Sequence, residues 1–310
     1  MAGDAAGTVT PGMDATVDAL AAFLARHPRL FVLTGAGCST DSGIPDYRDG
    51  DGEWKRARPV MYQDFVSSEY TRKRYWGRSL VGFRRMGRAV PNDAHLALAA
   101  LEQQGHVLQL VTQNVDGLHQ AAGSRDVIDL HGRIDTVRCL GCERRSTREA
   151  LQHELIRRNP AFAALDAGDA PDGDADLEHR AFETFDVPAC PTCGGLLKPD
   201  VVFFGEGVPS GRVERAMHAV DTADAMLVVG SSLMVYSGFR FAKAAAERGK
   251  PIAAVNLGRT RADHLLALKV SDNCGSVLRR LLGCTRRPST EPRPSPVGSP
   301  AAVGSGAGTD

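Results

Sequence analysis

The sequence predicts an α/β protein built on a doubly wound parallel sheet with a second, smaller lobe. Three features lead there. Short apolar runs alternate with helical patterns, the first run breaks into Gly-Ala-Gly (residues 35–37), and two Cys-x-x-Cys pairs fall outside the alternation. The 310 residues suffice for two domains or one large one, at about 150 residues per domain.

Val17, Leu20, Ala21 and Leu24 share one face of a helix expected from Asp14 to about Arg26. Residues 29–34 (RLFVLT) are a buried parallel strand that turns at the glycines. Residues 92–104 (NDAHLALAALEQQ) open with polar caps and close at Gly105, which makes a helix, and Val107 to Thr112 is the next strand. A helix near 212–222 leads into strand 225–230. A helix over 238–248, closed by Gly249, leads into strand 251–256. Two stretches break the rhythm. Residues 50–90 are basic and aromatic with no clear strand, and 135–200 hold both cysteine pairs and an acidic insertion at 165–179. Together they predict the smaller lobe. The segment 285–310, rich in Pro, Ser, Gly and Ala, is expected to be disordered.

Lys+Arg and Asp+Glu both total 37, so net charge draws the chain neither to nucleic acid nor to an anionic membrane. No apolar run approaches the roughly 20 residues of a membrane span. The N-terminal residues carry neither the basic start nor the apolar stretch of a targeting signal, and a cytoplasmic location is expected. Cys139-x-x-Cys142 and Cys190-x-x-Cys193 supply four thiolates for one tetrahedral zinc. Four protein ligands leave no open position, so that ion is expected to be structural.

In an open parallel sheet the ligand lies beyond the carboxyl ends of the strands. Those ends here read TGAGCST (34–40), TQNVDGLH (112–119), DLHG (129–132), GSSLMVYSG (230–238) and NLG (256–258). Gly35 and Gly37 admit a pyrophosphate close to the backbone, with Ser39 and Thr40 as donors at a helix N-terminus. Ser231 and Ser232 offer a second hydroxyl contact, and Asn256 a ribose contact. The acidic ribose anchor expected about 20 residues past the glycines is missing, because Glu53-Trp54-Lys55 stand there in irregular sequence. A dinucleotide is therefore expected to be held in another way. Among the remaining polar groups, His95, His106 and His119 read as structural and Cys38 as packing. His131 ends a strand before Gly132 and is free to face the crevice as a general base.

In this chain order GAGCSTDSGIPDYR (35–48), TQNVDGLHQAAG (112–123), LHG (130–132), the cysteine pairs, KPDVVFFGE (198–206), GSSLMVYSG (230–238) and VNLG (255–258) resemble the sirtuins, NAD-dependent protein-lysine deacylases. The resemblance runs from about residue 15 to 283. FFGE, VYSG and NLGRTRAD are most similar to mitochondrial deacylases of broad acyl preference and to bacterial relatives. It implies a Rossmann-like NAD-binding domain from residues 14–49, 91–134 and 201–283. It also implies a helical module over 50–90, a zinc module over 135–200, a flexible start (1–13) and a disordered tail (284–310).

The resemblance further implies NAD and one structural zinc as cofactors. Gly35, Ala36, Gly37, Ser39, Thr40, Ile44, Asp46 and Arg48 would line the dinucleotide site, with Ile44 and Asp46 toward nicotinamide. Gln113, Asn114 and Asp116 would hold the nicotinamide ribose. Gly230, Ser231, Ser232, Asn256, Leu257, Gly258 and Cys274 would surround adenosine. Val202, Phe203, Phe204, Gly205 and Glu206 would run as a strand beside the substrate peptide. Asn114 and Asp116 would join His131 in catalysis, with His131 as general base on the ribose hydroxyls. The products would be nicotinamide, deacylated lysine and O-acyl-ADP-ribose. Partners would be acyl-lysine proteins, met by a monomer without nucleic acid or membrane. Tyr75 and Arg78 resemble the Tyr-x-x-Arg pair that holds acidic acyl groups; a solvated basic helix is the competing reading. Mono-ADP-ribosyl transfer and an idle NAD-sensing module remain as other functions.

Overall fold

The structure is a computed structural model that describes residues 13–55, 59–165, 169–170, 174–175, 177 and 180–285. The expectations for 1–12 and 286–310 lie outside the described residues, as does most of the acidic insertion; Met13 opens a helix and residues 284–285 close one, so these edges of the expected flexible start and disordered tail are helical.

Six parallel strands form the main sheet: β1 (Leu30–Thr34), β2 (Val107–Thr112), β3 (Val127–Asp129), β9 (Ala225–Val229), β10 (Ile252–Val255) and β11 (Leu268–Val270). Their spatial order is β11-β10-β9-β1-β2-β3. All five neighbouring pairs are parallel. Parallel strands covered on both faces need apolar side chains pointing both ways, and β1 has them. Leu30 and Val32 enter a core with α1 (Met13–Arg26), α4 (Asp93–Gln103) and α10 (Cys274–Thr285). Phe31 and Leu33 enter the opposite core with α8 (Ser210–Thr222) and α9 (Tyr236–Glu247). The chain thus forms the expected α/β sheet with helices on both sides. Asn92 caps α4 by accepting from the amides of Ala94 and His95, while the His95 ring accepts from the Asn92 amide.

A second body of structure stands beside this sheet. β4 (Gly132–Cys139), β5 (Arg145–Thr147) and β8 (Leu197–Val201) make an antiparallel three-stranded sheet in the order β5-β4-β8, and the two-residue strands β6 (Asp169–Ala170) and β7 (Asp174–Ala175) pair with each other. The core of this second body joins Ile134 and Val137 to Phe65 of α2 (Tyr62–Ser67), to Trp76 and Leu80 of α3 (Glu69–Met86), and to Leu151 and Leu155 of α6 (Arg148–Arg158). Two four-residue helices, α5 (Leu118–Ala121) and α7 (Pro160–Ala163), follow β2 and α6 in the chain. Gly77 inside α3 is a packing requirement, since a Cβ there would sit 2.7 Å from the Phe182 ring. Arg148 is wholly buried, its guanidinium 4.4 Å from the Phe83 ring and bonded to Ser79, and burial lowers its pKa to about 10.

One local expectation changes. After the Gly-Ala-Gly turn the chain forms two short 3-10 turns, Ala36–Cys38 and Thr40–Ser42, in place of a helix N-terminus. Gly43 at φ +82 closes the second turn in the left-handed region, and Pro45 follows; both oppose a continuing helix.

Candidate active site

Strand order reverses on either side of the β9-β1 pair, and the loops leaving those two strands cross there. The Gly35 amide donates to the Val229 carbonyl and the Gly37 amide to the Gly230 carbonyl. Only glycine fits at this crossing. A Cβ on Gly35 would lie 2.7 Å from the Ser231 Cβ, and one on Gly230, at φ +59, would lie 2.2 Å from the Cys38 nitrogen. In front of the crossing opens a cavity of about 580 Å³. Its position at the carboxyl ends of the strands, at the switch point, is where such sheets bind ligands.

The polar strand ends meet there. Gly35, Ala36, Gly37, Thr40, Asp46 and Arg48 line the cavity on the β1 side. Gln113, Asn114 and His131 line its floor, and Gly230, Ser231, Ser232, Asn256, Leu257, Gly258 and Cys274 line the β9–β10 side. Val202, Phe203, Phe204, Gly205 and Glu206 form the facing wall. Ser39, Ile44 and Asp116 stand one layer behind this lining, with Ser39 and Ile44 buried.

That second layer is a closed hydrogen-bond set. Ser39 Oγ donates to Asp116 Oδ2 at 2.7 Å and accepts from Asn114 Nδ2 at 3.0 Å. With its proton on Asp116, Ser39 also accepts from His95 Nε2 at 3.4 Å. Asn114 Nδ2 donates again to the Gly35 carbonyl at 3.0 Å, which ties the β2 loop to the β1 loop. Gln113 Nε2 donates to Ser231 Oγ at 2.7 Å and so bridges to the β9 loop. Thr34 accepts from His119 Nε2 at 2.9 Å and donates to Thr112. His95 and His119 therefore serve the structure, as the sequence suggested. Burial lowers both pKa values, that of His119 to about 3.

His131 occupies a different setting. Its Nδ1 lies 2.9 Å from the Gln113 carbonyl oxygen, which only accepts, so Nδ1 carries the proton. Nε2 is then a lone pair on the cavity side, 2.8 Å from Ser237 Oγ. Burial, with help from Arg212 and Arg240, lowers the His131 pKa to about 4. The ring is neutral at pH 7, with its acceptor aimed at the opening. Ser237, at the start of α9, was missed by sequence reasoning, because nothing in VYSG ties it to a histidine 106 residues away.

Cys274 is buried beside the Val255 carbonyl, and desolvation raises its pKa to about 12. Cys38 is buried as well and its thiol is pushed well up by desolvation. Both are inert thiols, the packing role expected of Cys38. The Arg48 guanidinium sits 4.0 Å from the Trp54 ring and donates to the Gly52 carbonyl at 2.6 Å. Asp46 pairs with Lys55.

On the facing wall, β8 ends at Val201. Beyond it the Val202 amide donates to the His131 carbonyl at 2.7 Å, and Phe204 bridges Met61. The strand expected over 202–206 is not formed: β8 stops at Val201, and the segment continues as a loop that turns at Gly205 (φ +79). Glu206 is held by the buried Lys198 at 3.0 Å and accepts from the Phe203 amide at 2.9 Å. Tyr75 lies behind this wall, its ring centroid 5.2 Å from that of Phe203. Arg78, one helical turn on, meets Asp174 of the acidic insertion, and neither Tyr75 nor Arg78, both expected at the substrate, is among the residues that line the cavity.

The cysteine pairs meet at the far end of β4. Cys139 and Cys193 sulfurs are 3.5 Å apart, those of Cys142 and Cys190 3.8 Å, and all four ligand atoms lie within 4.8 Å of one another. Zn–S bonds of about 2.3 Å in a tetrahedron place sulfurs about 3.8 Å apart, so the four residues fit one structural zinc.

Residues 35–237 match the Sir2 family. The chain is 65% identical over 260 residues to NAD-dependent protein deacetylase 2 of Bradyrhizobium diazoefficiens, covering 84% of this chain and 95% of that one. It is 62% identical over 266 residues to the NAD-dependent protein deacetylase of Bordetella bronchiseptica, covering 86% and 97%. Among solved structures, one described as Sir2-p53 peptide-NAD+ aligns with a TM-score of 0.70 at 30% identity, over 86% of this chain and 97% of that chain.

Proposed function

The chain belongs to the Sir2 family, and from that premise we propose that His131 is the general base of its reaction. The protein is an NAD-dependent protein-lysine deacylase. When bound, NAD would supply an activated ribose that ends up carrying the acyl group on a hydroxyl oxygen, with nicotinamide as the leaving group.

The observation that carries the His131 assignment is its fixed tautomer. The Gln113 carbonyl holds Nδ1–H, and the Nε2 lone pair faces the cavity. Such a base takes a proton from a ribose hydroxyl at Nε2, and the imidazolium so formed keeps its Nδ1–H bond to Gln113. In this reading Asn114 and Asp116, locked together through Ser39, fix the floor against which the nicotinamide ribose is held. The Gly35–Gly37 turn and Thr40 take the pyrophosphate, while Ser39, expected as a donor there, backs them from the layer behind. Asp46 and Arg48 take the nicotinamide side, with Ile44 packed behind them. Ser231, Ser232, Asn256 to Gly258 and Cys274 take the adenosine side. Val202 to Glu206 accept the substrate peptide as an added strand.

The same reading assigns residues 14–49, 91–134 and 201–283 to the NAD-binding domain. Residues 50–90 and 135–200 form the small lobe. It has a monomer acting in the cytoplasm, and equal totals of basic and acidic residues give no electrostatic drive toward a nucleic-acid partner. For the acyl group it favours uncharged chains, because Arg78 already holds the Asp174 carboxylate.

Incubation with NAD and an acetyl-lysine peptide tests the assignment. Mass spectrometry is expected to find O-acetyl-ADP-ribose and free lysine. ADP-ribose attached to an acceptor protein, without loss of the acyl group, would move the assignment to ADP-ribosyl transfer.

A further inference from the structure

We propose that Ser237 is a positioning residue for His131: its hydroxyl donates to Nε2, fixes the ring from the cavity side, and keeps the place that a ribose hydroxyl takes over. This deepens the reading of His131 as the base and rests on it.

Three observations support the proposal. First, the imidazole is gripped at both nitrogens by groups from different elements, Gln113 after β2 at 2.9 Å and Ser237 on α9 at 2.8 Å. A ring held at one nitrogen still swings about that bond; a ring held at both does not. Second, the direction of each bond follows from chemistry. A carbonyl only accepts, so Nδ1 is the donor, Nε2 is the acceptor and Ser237 Oγ–H is its donor. Third, α9 is cut to fit this arrangement. A Cβ on Gly238, the next residue, would stand 2.4 Å from Gln113 Oε1, so glycine there admits the Gln113 side chain between α9 and the β9 loop, beside the residue whose carbonyl holds the ring. Ser237 and His131 both line the cavity, where an incoming hydroxyl can reach them.

The exchange conserves hydrogen bonds. Before the dinucleotide arrives, the buried lone pair of Nε2 is satisfied by Ser237, so no acceptor is left stranded. When a ribose hydroxyl enters, one O–H donor replaces another. The proton then passes from the ribose oxygen to Nε2, and Ser237 remains a neutral hydroxyl. A donor at Nε2 also favours the neutral ring. The charged groups acting on the imidazole are Arg212 of α8 and Arg240 of α9, both cations that push in the same direction.

The experiment is a proton NMR titration of the His131 ring in the free full-length protein, assigned with His131→Ala, in wild type, Ser237→Ala and Ser237→Thr. Thermal melting of each variant checks the fold. Ser237→Ala is expected to raise the His131 pKa by about half a unit, the size of one neutral hydrogen bond. The acid limb of its kcat/KM profile is expected to move up equally, and Ser237→Thr, which keeps the hydroxyl, to stay with wild type. Should Ser237→Ala not fold, Ser237→Cys, a weak donor of similar size, is expected to shift in the same direction. Titration curves for the Ala or Cys variant that overlay wild type would overturn the proposal. The NMR readout needs neither NAD nor peptide, so a failure of the deacylase reading, seen as absent O-acetyl-ADP-ribose, is distinct from a failure here.

Discussion

Arg78 and Asp174 meet as a fork on a fork: Nε lies 2.9 Å from Oδ1 and Nη2 lies 2.6 Å from Oδ2. Arginine binds carboxylates this way whether they belong to a side chain or to a substrate. Desolvation raises the Asp174 pKa more than Arg78 lowers it, so the ionised carboxylate gains little from its burial. The enzyme is expected to turn over acetyl-lysine in preference to succinyl-lysine. Asp174→Asn removes the resident negative charge and should raise the succinyl-to-acetyl ratio of kcat/KM about tenfold, equivalent to about 1.4 kcal/mol. Adding Arg78→Met should cancel that gain. An unchanged ratio in Asp174→Asn would leave the basic face of α3 as a structural feature only.

His131→Ala removes the proposed base and leaves the cavity lining otherwise in place. Deacylation is expected to fall by about 10²–10⁴-fold, the usual worth of a positioned general base. NAD binding, read by calorimetry, should stay within a few-fold of wild type. Turnover near wild type would remove His131 from the chemistry.

The buried histidines set a pH dependence of stability. His131 and His119 titrate in the fold at about 4 and about 3, below the ordinary value near 6.5. The unfolded chain therefore binds more protons than the fold between these values, and stability increases with pH there. Their contribution is complete above about pH 6.5 and is lost as pH falls toward 4 for His131 and toward 3 for His119. Melting curves from pH 7.5 to 4.5 should show a falling Tm, with a shallower slope in His119→Gln. A flat profile would contradict this account.

Zinc withdrawal is expected to cost several kcal/mol, since binding at such sites is also folding energy. Elemental analysis should find one zinc per chain. Cys142→Ser, or exhaustive chelation, should lower Tm by more than about 5 °C. A metal-free protein with an unaltered melt would mean that the cluster is held by packing alone.

Much of the sheet was legible because its strands are short apolar runs whose side chains face two cores, a pattern with few alternatives. The edge strand Leu268–Val270 was not, since three residues of LKV carry no period. Helix α3 was obscured by Gly77, a weak helix former that is there to admit the Phe182 ring. The cavity lining could be read from strand ends, because polar residues at those positions have little other purpose. What stayed hidden were partners that the fold alone brings together. Ser237 reaches His131 and Asp174 reaches Arg78 across long sequence separations, and no local pattern announces either contact.

One strand has a wider meaning. β4 begins directly after His131 and ends on Cys139, a thiolate of the metal cluster, while β8 alongside it leads into the wall at Val202–Phe204. At about 3.3 Å per residue its eight residues span roughly 25 Å. It would work as a tie rod if zinc sits at the cysteines, fixed there at one end and reaching at the other to His131 and the facing wall. On the proposed reading, loss of that metal is expected to loosen the floor on which His131 stands.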